Sequence, residues 1–230
     1  MRNGRETAPV FVFRIEGLQC PAHNVRAEYH SKEMAVKTPD VTPEQMEKRL
    51  ARFSTLQPSK KSFNEQSVGI PGEAYELLAA KNVYVLLAPE GNKRSAARPA
   101  VVGAPGIEVV IAECPPGQGP AMHAHCRSHE IFLCMTGRYE IIWGDKGEHS
   151  IVLEPFDLIA IPPGVFRRFR NISDLEDARL LAIVQGTKEE IFNDVKFDPA
   201  IGEVIVKRWN KAVWENFRNI GITFEAPDPK

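Results

Sequence analysis

The sequence predicts a mainly β protein, a jelly-roll barrel with an N-terminal arm and a few flanking helices. Short apolar runs follow one another closely from residue 117 onward, and Gly- or Pro-rich turns at 144–147 and 162–164 separate them. Helical signals are confined to short segments on either side of these runs. Many short strands joined by tight turns are typical of a two-sheet barrel, whose interior or mouth can hold a small ligand.

The N-terminal part carries one strand signal and one helix signal. Residues 9–18 alternate aliphatic and aromatic side chains, which predicts a strand that needs a sheet edge for pairing. Thr42 and Gln45 form a capping box with proline at the first helical position, so a helix is expected to run to about Phe53. Residues 54–72 are rich in Ser, Pro, Lys and Gly and predict a linker or a draped loop.

The central part predicts the barrel strands. Runs of apolar and β-branched residues indicate strands at 75–88 and 109–112. A closely spaced series of predicted strands then follows from residue 117 onward. Its members are 130–135, 139–143, 149–153, 158–161, 166–170 and 179–184.

The C-terminal part predicts helices. A capping box that begins at Thr187 predicts a short helix to about Asp194. Beyond it, apolar side chains recur at four-residue spacing at Ile205, Trp209, Val213 and Phe217, which predicts an amphipathic helix that covers the barrel or a partner subunit. The expected parts of the chain are an arm, short helix and linker at 1–72, a barrel domain at 73–187 and a helical extension at 188–230 that packs on the barrel.

Composition narrows the class of function. The chain has 230 residues, 43% hydrophobic and 26% charged, which excludes collagen-like, disordered and disulfide-scaffold proteins. A formal net charge of -1 argues against a broad basic surface for nucleic acid or anionic membrane. No Walker loop, GxSxG elbow or CxxC pair is present, so nucleotide binding and triad hydrolysis have no support. We expect binding in a local pocket, with neither nucleic acid nor membrane as partner.

The N-terminal residues and the cysteines indicate a cytoplasmic protein. No secretory pattern opens the chain, and no apolar run approaches the roughly 20 residues that span a bilayer. Without an export signal, the four cysteines are expected to be free thiols in a reducing compartment.

Three residues form a candidate metal site. His123 and His125 lie two residues apart, so on an extended strand both imidazoles project from one face. Glu130 opens the apolar run that follows, and strand alternation then leaves His129 at the rim. Two imidazoles and one carboxylate are the ligand set of a metal centre with open positions, suited to Fe, Mn or Ni, and three protein ligands also suit Zn.

The spacing of these residues resembles the cupin superfamily. The first motif of that family is a Gly, five residues, His-x-His, three or four residues, Glu, six residues and Gly, and it is matched in full by Gly117, His123, His125, Glu130 and Gly137. The second motif is matched by Pro162, Gly164 and Asn171, but Arg167 stands at its His position. The resemblance covers residues 103–187 and implies a double-stranded β-helix barrel of the single-barrel type. It also implies a homodimer, because the N-terminal arm in such chains often adds to a sheet of a second subunit.

Arg167 leaves two interpretations of the pocket open, because a guanidinium cannot ligate a cation. With one divalent metal, the two His, Glu130 and Arg167 sum to about two positive charges, so a small anionic substrate is expected. In that case Arg167 and Glu130 are catalytic, Arg167 orienting a carboxylate or stabilising an enolate, while Phe132 and Phe169 exclude water. The resemblance then implies dioxygenase-like chemistry first and isomerase or lyase chemistry second.

Without metal, Arg167 pairs with Glu130 and the charges cancel, which gives a small-ligand-binding module. In either case strand alternation places Phe169 and Asn171 on the face of Arg167, and Arg168 and Arg170 on the other. A purely structural oligomer, the third possibility, would have its pocket packed shut.

Overall fold

The computed structural model describes residues 39–61, 68–91, 99–103 and 105–225. The predicted strand at 9–18 lies outside these residues. Every element described below belongs to one compact unit of the chain, residues 42–230.

The described strands form two six-stranded sheets. The first sheet contains, side by side, β2 (Val101–Val102), β1 (Asn82–Ala88), β3 (Ile107–Cys114), β10 (Ala178–Gln185), β5 (His129–Cys134) and β8 (Leu158–Ile161). The second contains β12 (Ile222–Phe224), β11 (Val195–Phe197), β4 (His123–His125), β9 (Arg167–Asn171), β6 (Tyr139–Trp143) and β7 (His149–Leu153). The predicted mainly β, two-sheet barrel is confirmed.

The helices lie before and after the main run of strands. They are α1 (Pro43–Glu47), α2 (Gly72–Leu78), α3 (Lys188–Phe192), α4 (Pro199–Arg208) and α5 (Lys211–Asn219), with 3₁₀ turns at Phe53–Thr55 and Ser59–Lys61. The longest of them, α4, has ten residues, so no helix in the described ranges reaches the length and hydropathy of a membrane crossing.

Strand prediction succeeded where turns bound the run on both sides. Strands β6, β7 and β8 have the bounds that the sequence predicts. The strand predicted from residue 75 is wrong in its first part, because residues 72–78 form α2. Ala74 and Leu78 lie four residues apart and are both buried, so this segment has one apolar helical face. Two apolar positions in so short a segment are too few to show a helical period in the sequence.

Helix starts were predicted better than helix ends. The Thr42 capping box is formed: its hydroxyl accepts from the Gln45 amide at 3.2 Å, and the Gln45 side chain accepts from the Thr42 amide at 2.8 Å. Helix α1 nevertheless ends at Glu47 rather than near Phe53, because it buries no residue and has only its cap to stabilise it.

The single C-terminal helix that the sequence predicts is two helices. Helix α4 ends at Arg208, and Asn210 caps α5 by accepting a hydrogen bond from the Val213 amide at 2.9 Å. The apolar residues that predicted one helix are divided between the two helices. Ile205 of α4 and Val213 and Phe217 of α5 are all buried.

Two apolar clusters stabilise the fold. One fills the barrel and includes Phe132, Tyr139 and Leu180. The other joins the helices to β11 and β12, where Ile205 and Phe217 pack with Phe224. The segment after residue 187 therefore contributes two strands to the second sheet as well as helices, and β11 pairs directly with β4.

Candidate metal centre

Strand β4 lies between two partners that fix its orientation. On one side β11 pairs with it, placing Val195 opposite His125 and Phe197 opposite His123. On the other side His123 lies opposite Arg167 of β9. Both imidazoles are buried on one face of the strand, with ring centroids 5.7 Å apart. The ring of His123 also stacks on Phe197 at 5.1 Å.

Glu130 reaches the same space from the first sheet. It is buried on β5, where its neighbour His129 is exposed, as strand alternation requires. His125 Nε2 and Glu130 Oε1 are 3.8 Å apart. One ligand atom from each of His123, His125 and Glu130 lies within 4.8 Å of the others. The structure therefore brings together the three residues that the sequence singles out as metal ligands.

The Nδ1 atoms of both imidazoles contact oxygen atoms of the protein. His123 Nδ1 lies 2.8 Å from the carbonyl oxygen of Ala121, which can only accept, so this nitrogen carries the proton. His125 Nδ1 lies 3.2 Å from the Ser128 hydroxyl and 3.5 Å from the carboxylate of Asp194. These contacts favour the proton on Nδ1 and the lone pair on Nε2, the arrangement typical of a metal-ligating histidine.

Asp194 is a residue of the site that sequence reasoning missed. Its buried carboxylate accepts hydrogen bonds from the amides of Arg127 at 2.7 Å and Ser128 at 3.0 Å, and from the Ser128 hydroxyl. Burial opposes its charge, but the hydrogen bonds from His125 and Ser128 outweigh that effect and hold its pKa below the usual range. Asp194 is therefore an anion that orients His125 from behind.

Arg167 lies behind Glu130. Its side chain is 1% exposed, Nη2 donates to Glu130 Oε2, and Nη1 donates to the carbonyl oxygen of His123 at 3.0 Å. Nε has no hydrogen-bond partner among the described residues. Arg167 is not among the side chains that line the cavity described below. Its predicted contact with a substrate stays a prediction.

Glu130 is negatively charged and His123 is neutral in this site, and these are the forms that bind a cation. Burial would raise the pKa of Glu130, but the charge of Arg167, the two imidazoles and the Arg167 hydrogen bond lower it to about 2. Burial, followed by the charge of Arg167, lowers the pKa of His123 to about 3. Glu130 is thus ionised and His123 neutral at physiological pH, as metal coordination requires.

The donor set opens into a cavity of about 150 Å³. Its walls are mainly apolar, and Phe169 is one of the side chains that line it. Phe132, predicted to lie in the pocket, is buried in the barrel core, where its ring meets Phe169 edge-on at 5.3 Å between centroids. The pocket is not packed shut.

Comparisons with known proteins agree with this architecture. Residues 110–184 match the family described as Cupin domain. No curated protein matches the chain in sequence.

Three solved structures resemble this chain at low identity and low TM-score. A Cupin 2 conserved barrel domain protein from Salinispora arenicola CNS-205 is 23% identical over 46% of this chain and 75% of its own, with a TM-score of 0.35. KdgF from Halomonas sp. is 16% identical over 40% and 80%, with a TM-score of 0.34. DMSP lyase DddQ from Ruegeria pomeroyi DSS-3 is 20% identical over 45% and 46%, with a TM-score of 0.36.

Likenesses of this size concern the fold alone. The matched region contains both motifs, the His-x-His pair and Glu130, and most strands of the two sheets. This chain therefore carries a domain of the cupin superfamily at residues 110–184.

Proposed function

We propose that this chain is a metal-dependent enzyme that holds one divalent cation through His123, His125 and Glu130. The donor set carries the proposal, since one ligand atom from each residue lies within 4.8 Å of the others. Two nitrogen ligands of one tetrahedral zinc ion lie roughly 3.4 Å apart, so side-chain movements of about 1 Å close the set. Three protein ligands leave open positions and suit Fe, Mn, Ni or Zn.

The residues around the donor set support the same proposal. The Ala121 carbonyl and the Ser128–Asp194 pair orient the two imidazoles, as residues behind metal ligands do. Arg167 occupies Glu130 Oε2, while Oε1 is the oxygen on the side of His125. A carboxylate that binds a guanidinium through one oxygen can ligate a cation through the other.

The substrate that we propose is a small organic molecule with an anionic oxygen group, such as a carboxylate or enolate. The cation, when bound, supplies Lewis-acid or O₂-activating chemistry. Phe169 and the aliphatic walls exclude water from the reacting end of the cavity. We place dioxygenase-like chemistry first and isomerase or lyase chemistry second.

Elemental analysis tests the proposal. Protein purified without a metal-affinity tag is expected to carry close to one equivalent of metal, and His123→Ala to lose more than nine-tenths of it. His129→Ala is the matched control, because His129 is exposed on the same strand as Glu130 and lies outside the donor set. Equal metal contents in the two variants would contradict the assignment of His123.

The buried ion pair favours a second candidate function, a metal-free module that binds a small ligand. Arg167 and Glu130 are both buried and form an ion pair, so the charge of Glu130 is compensated without a cation. If the wild-type protein takes up no metal after dialysis against Fe(II), Mn(II), Ni(II) and Zn(II), this candidate replaces the first.

Asp194 gives a separate prediction. Asp194→Asn removes the anion that holds the proton on His125 Nδ1, so we expect metal affinity to fall about 10–100-fold. Competition with a chromophoric chelator measures this. Asp198→Asn is the control, because Asp198 caps α4 through the Ala200 amide and is exposed. An Asp194→Asn variant with wild-type metal affinity would show that Asp194 stabilises the fold and does not orient His125 for metal binding.

A further inference from the structure

The cavity beside the donor set is bounded mainly by hydrocarbon. On the first sheet its wall runs from Glu130 across β10, β3 and β1, which lie side by side in that order. Apart from Glu108, the side chains that these three strands contribute are aliphatic. They are Val83, Val85, Val110, Ala112, Ala182 and Val184. The second sheet adds Phe169, Val195, Phe197 and Ile222. A ligand that extends away from the donor set therefore meets carbon atoms on both sheets.

The polar side chains of the cavity outside the donor set already have partners in the protein. The buried hydroxyl of Ser59 donates to the carbonyl oxygen of Val83 at 3.0 Å. Tyr75 and Glu108 also interact with other groups of the protein. A second polar group of a ligand would have to disturb one of these contacts or stay without a partner, and both are unfavourable in a buried site.

Two residues limit the length of a ligand that extends from the donor set. Val110 and Ala182 lie directly opposite each other on neighbouring strands and both line the cavity. Ala182 lies two residues before Val184, which is opposite Glu130, so this pair is the next part of the wall beyond the donor set. An apolar cavity of about 150 Å³ accommodates a molecule the size of benzene, with about six non-hydrogen atoms. A few methyl groups added or removed here therefore change the length that fits.

We propose that Val110 and Ala182 select a substrate that has one anionic oxygen group and a compact hydrocarbon body. The substrate class is a small monocarboxylate, or the corresponding enolate, with about four or five carbon atoms and no second charged or hydroxyl group. The hydrocarbon body rests on the wall of the cavity alone, whereas the anionic end rests on the proposed function.

Straight-chain carboxylates test this proposal. In titrations of the zinc-loaded protein, we expect the affinity to rise about fourfold for each methylene from acetate to butanoate or pentanoate, because each added group is buried against the apolar wall. Octanoate exceeds the cavity and should bind more weakly than pentanoate. The probe 4-hydroxybutanoate has the length of pentanoate but ends in a hydroxyl group, and we expect it to bind about 10–100-fold more weakly than pentanoate.

Two variants change the cavity in opposite directions. Val110→Ala removes two methyl groups, so the carboxylate that binds best should be one or two carbons longer than for wild type. Ala182→Val adds two methyl groups, so the best carboxylate should be one or two carbons shorter. Zinc affinity should stay unchanged in both. A variant that only loses stability would weaken the binding of all the carboxylates and would not move the preferred length.

Val109→Ala is the matched control. Val109 lies beside Val110 on β3 and loses the same two methyl groups, but it is on the other face of the strand and does not line the cavity. It should keep the wild-type preference. If wild type binds zinc but binds 4-hydroxybutanoate as tightly as pentanoate, or if Val110→Ala and Ala182→Val keep the wild-type length, the inference is overturned and the metal proposal is untouched.

If wild type binds no zinc, the proposed function fails and the probe becomes benzene, which needs no cation. Metal-free wild type should then bind benzene, and Ala182→Val should bind it about tenfold more weakly, because the added methyl groups occupy the same space. Equal binding by the two proteins, or binding by neither, overturns the role of the apolar wall.

Discussion

Arg167→Met is expected to destabilise the metal-free protein by about 3–5 kcal/mol, because it leaves the buried carboxylate of Glu130 without its partner. Arg167 is 1% exposed and donates to both Glu130 and the His123 carbonyl, so methionine replaces its length but neither hydrogen bond. Urea unfolding, with comparison of the denaturant slopes, measures the loss.

Two further measurements separate the two causes of the lost stability, the uncompensated charge of Glu130 and the altered packing at Arg167. Arg167→Met with Glu130→Gln removes the charges of both partners and should recover part of the loss, since no uncompensated ion remains buried. Zinc should raise the stability of Arg167→Met more than that of wild type, because the cation then neutralises Glu130. A metal-free Arg167→Met protein as stable as wild type would contradict a structural role for the ion pair.

Gly119→Ala is expected to destabilise the fold by about 3 kcal/mol or more, because the added methyl group overlaps backbone atoms that cannot move aside. A Cβ at Gly119 would overlap the carbonyl oxygen of Phe169 and lie 3.2 Å from the Cα of Arg170. The loop before β4 is bonded to the end of β9 through the Gln118 carbonyl and the Asn171 amide at 2.9 Å, which brings the two backbones this close.

Thermal unfolding of Gly119→Ala and Gly72→Ala tests this prediction. Nothing lies within 4 Å of a Cβ at Gly72, the first residue of α2, so its replacement should be neutral or stabilising by up to about 1 kcal/mol. Similar melting temperatures for the two variants would contradict this prediction. They would show that the backbone of β9 shifts to accommodate the added methyl group, although β9 is paired with β4 on one side and β6 on the other.

The parts of the site that sequence reasoning found are those fixed by local alternation. A two-residue period places His123 and His125 on one face, and it separates Glu130 from His129 and Arg167 from Arg168. These relations depend only on the strand itself. The family motif supplied the pairing of strands from different sheets, which no local pattern contains.

The parts of the site that sequence reasoning missed depend on contacts between segments that are far apart in the chain. Asp194 lies 66 residues from Ser128, at the junction of a helix and a three-residue strand, and no periodicity marks it as a partner of His125. Glu108 is a single carboxylate at the start of a strand, and only the register with β10 shows that it lies on the same face of the first sheet as Glu130, two strands away.

The position of β11 has a consequence for the minimum length of chain that can build this site. The family domain ends at residue 184, whereas Asp194 and the strand that pairs with β4 come after it. A fragment cut at that boundary would leave one side of β4 with unpaired amide and carbonyl groups and His125 with no anion behind it. A transplant of this barrel into another protein therefore has to include the segment through Phe224, where β12 completes the sheet.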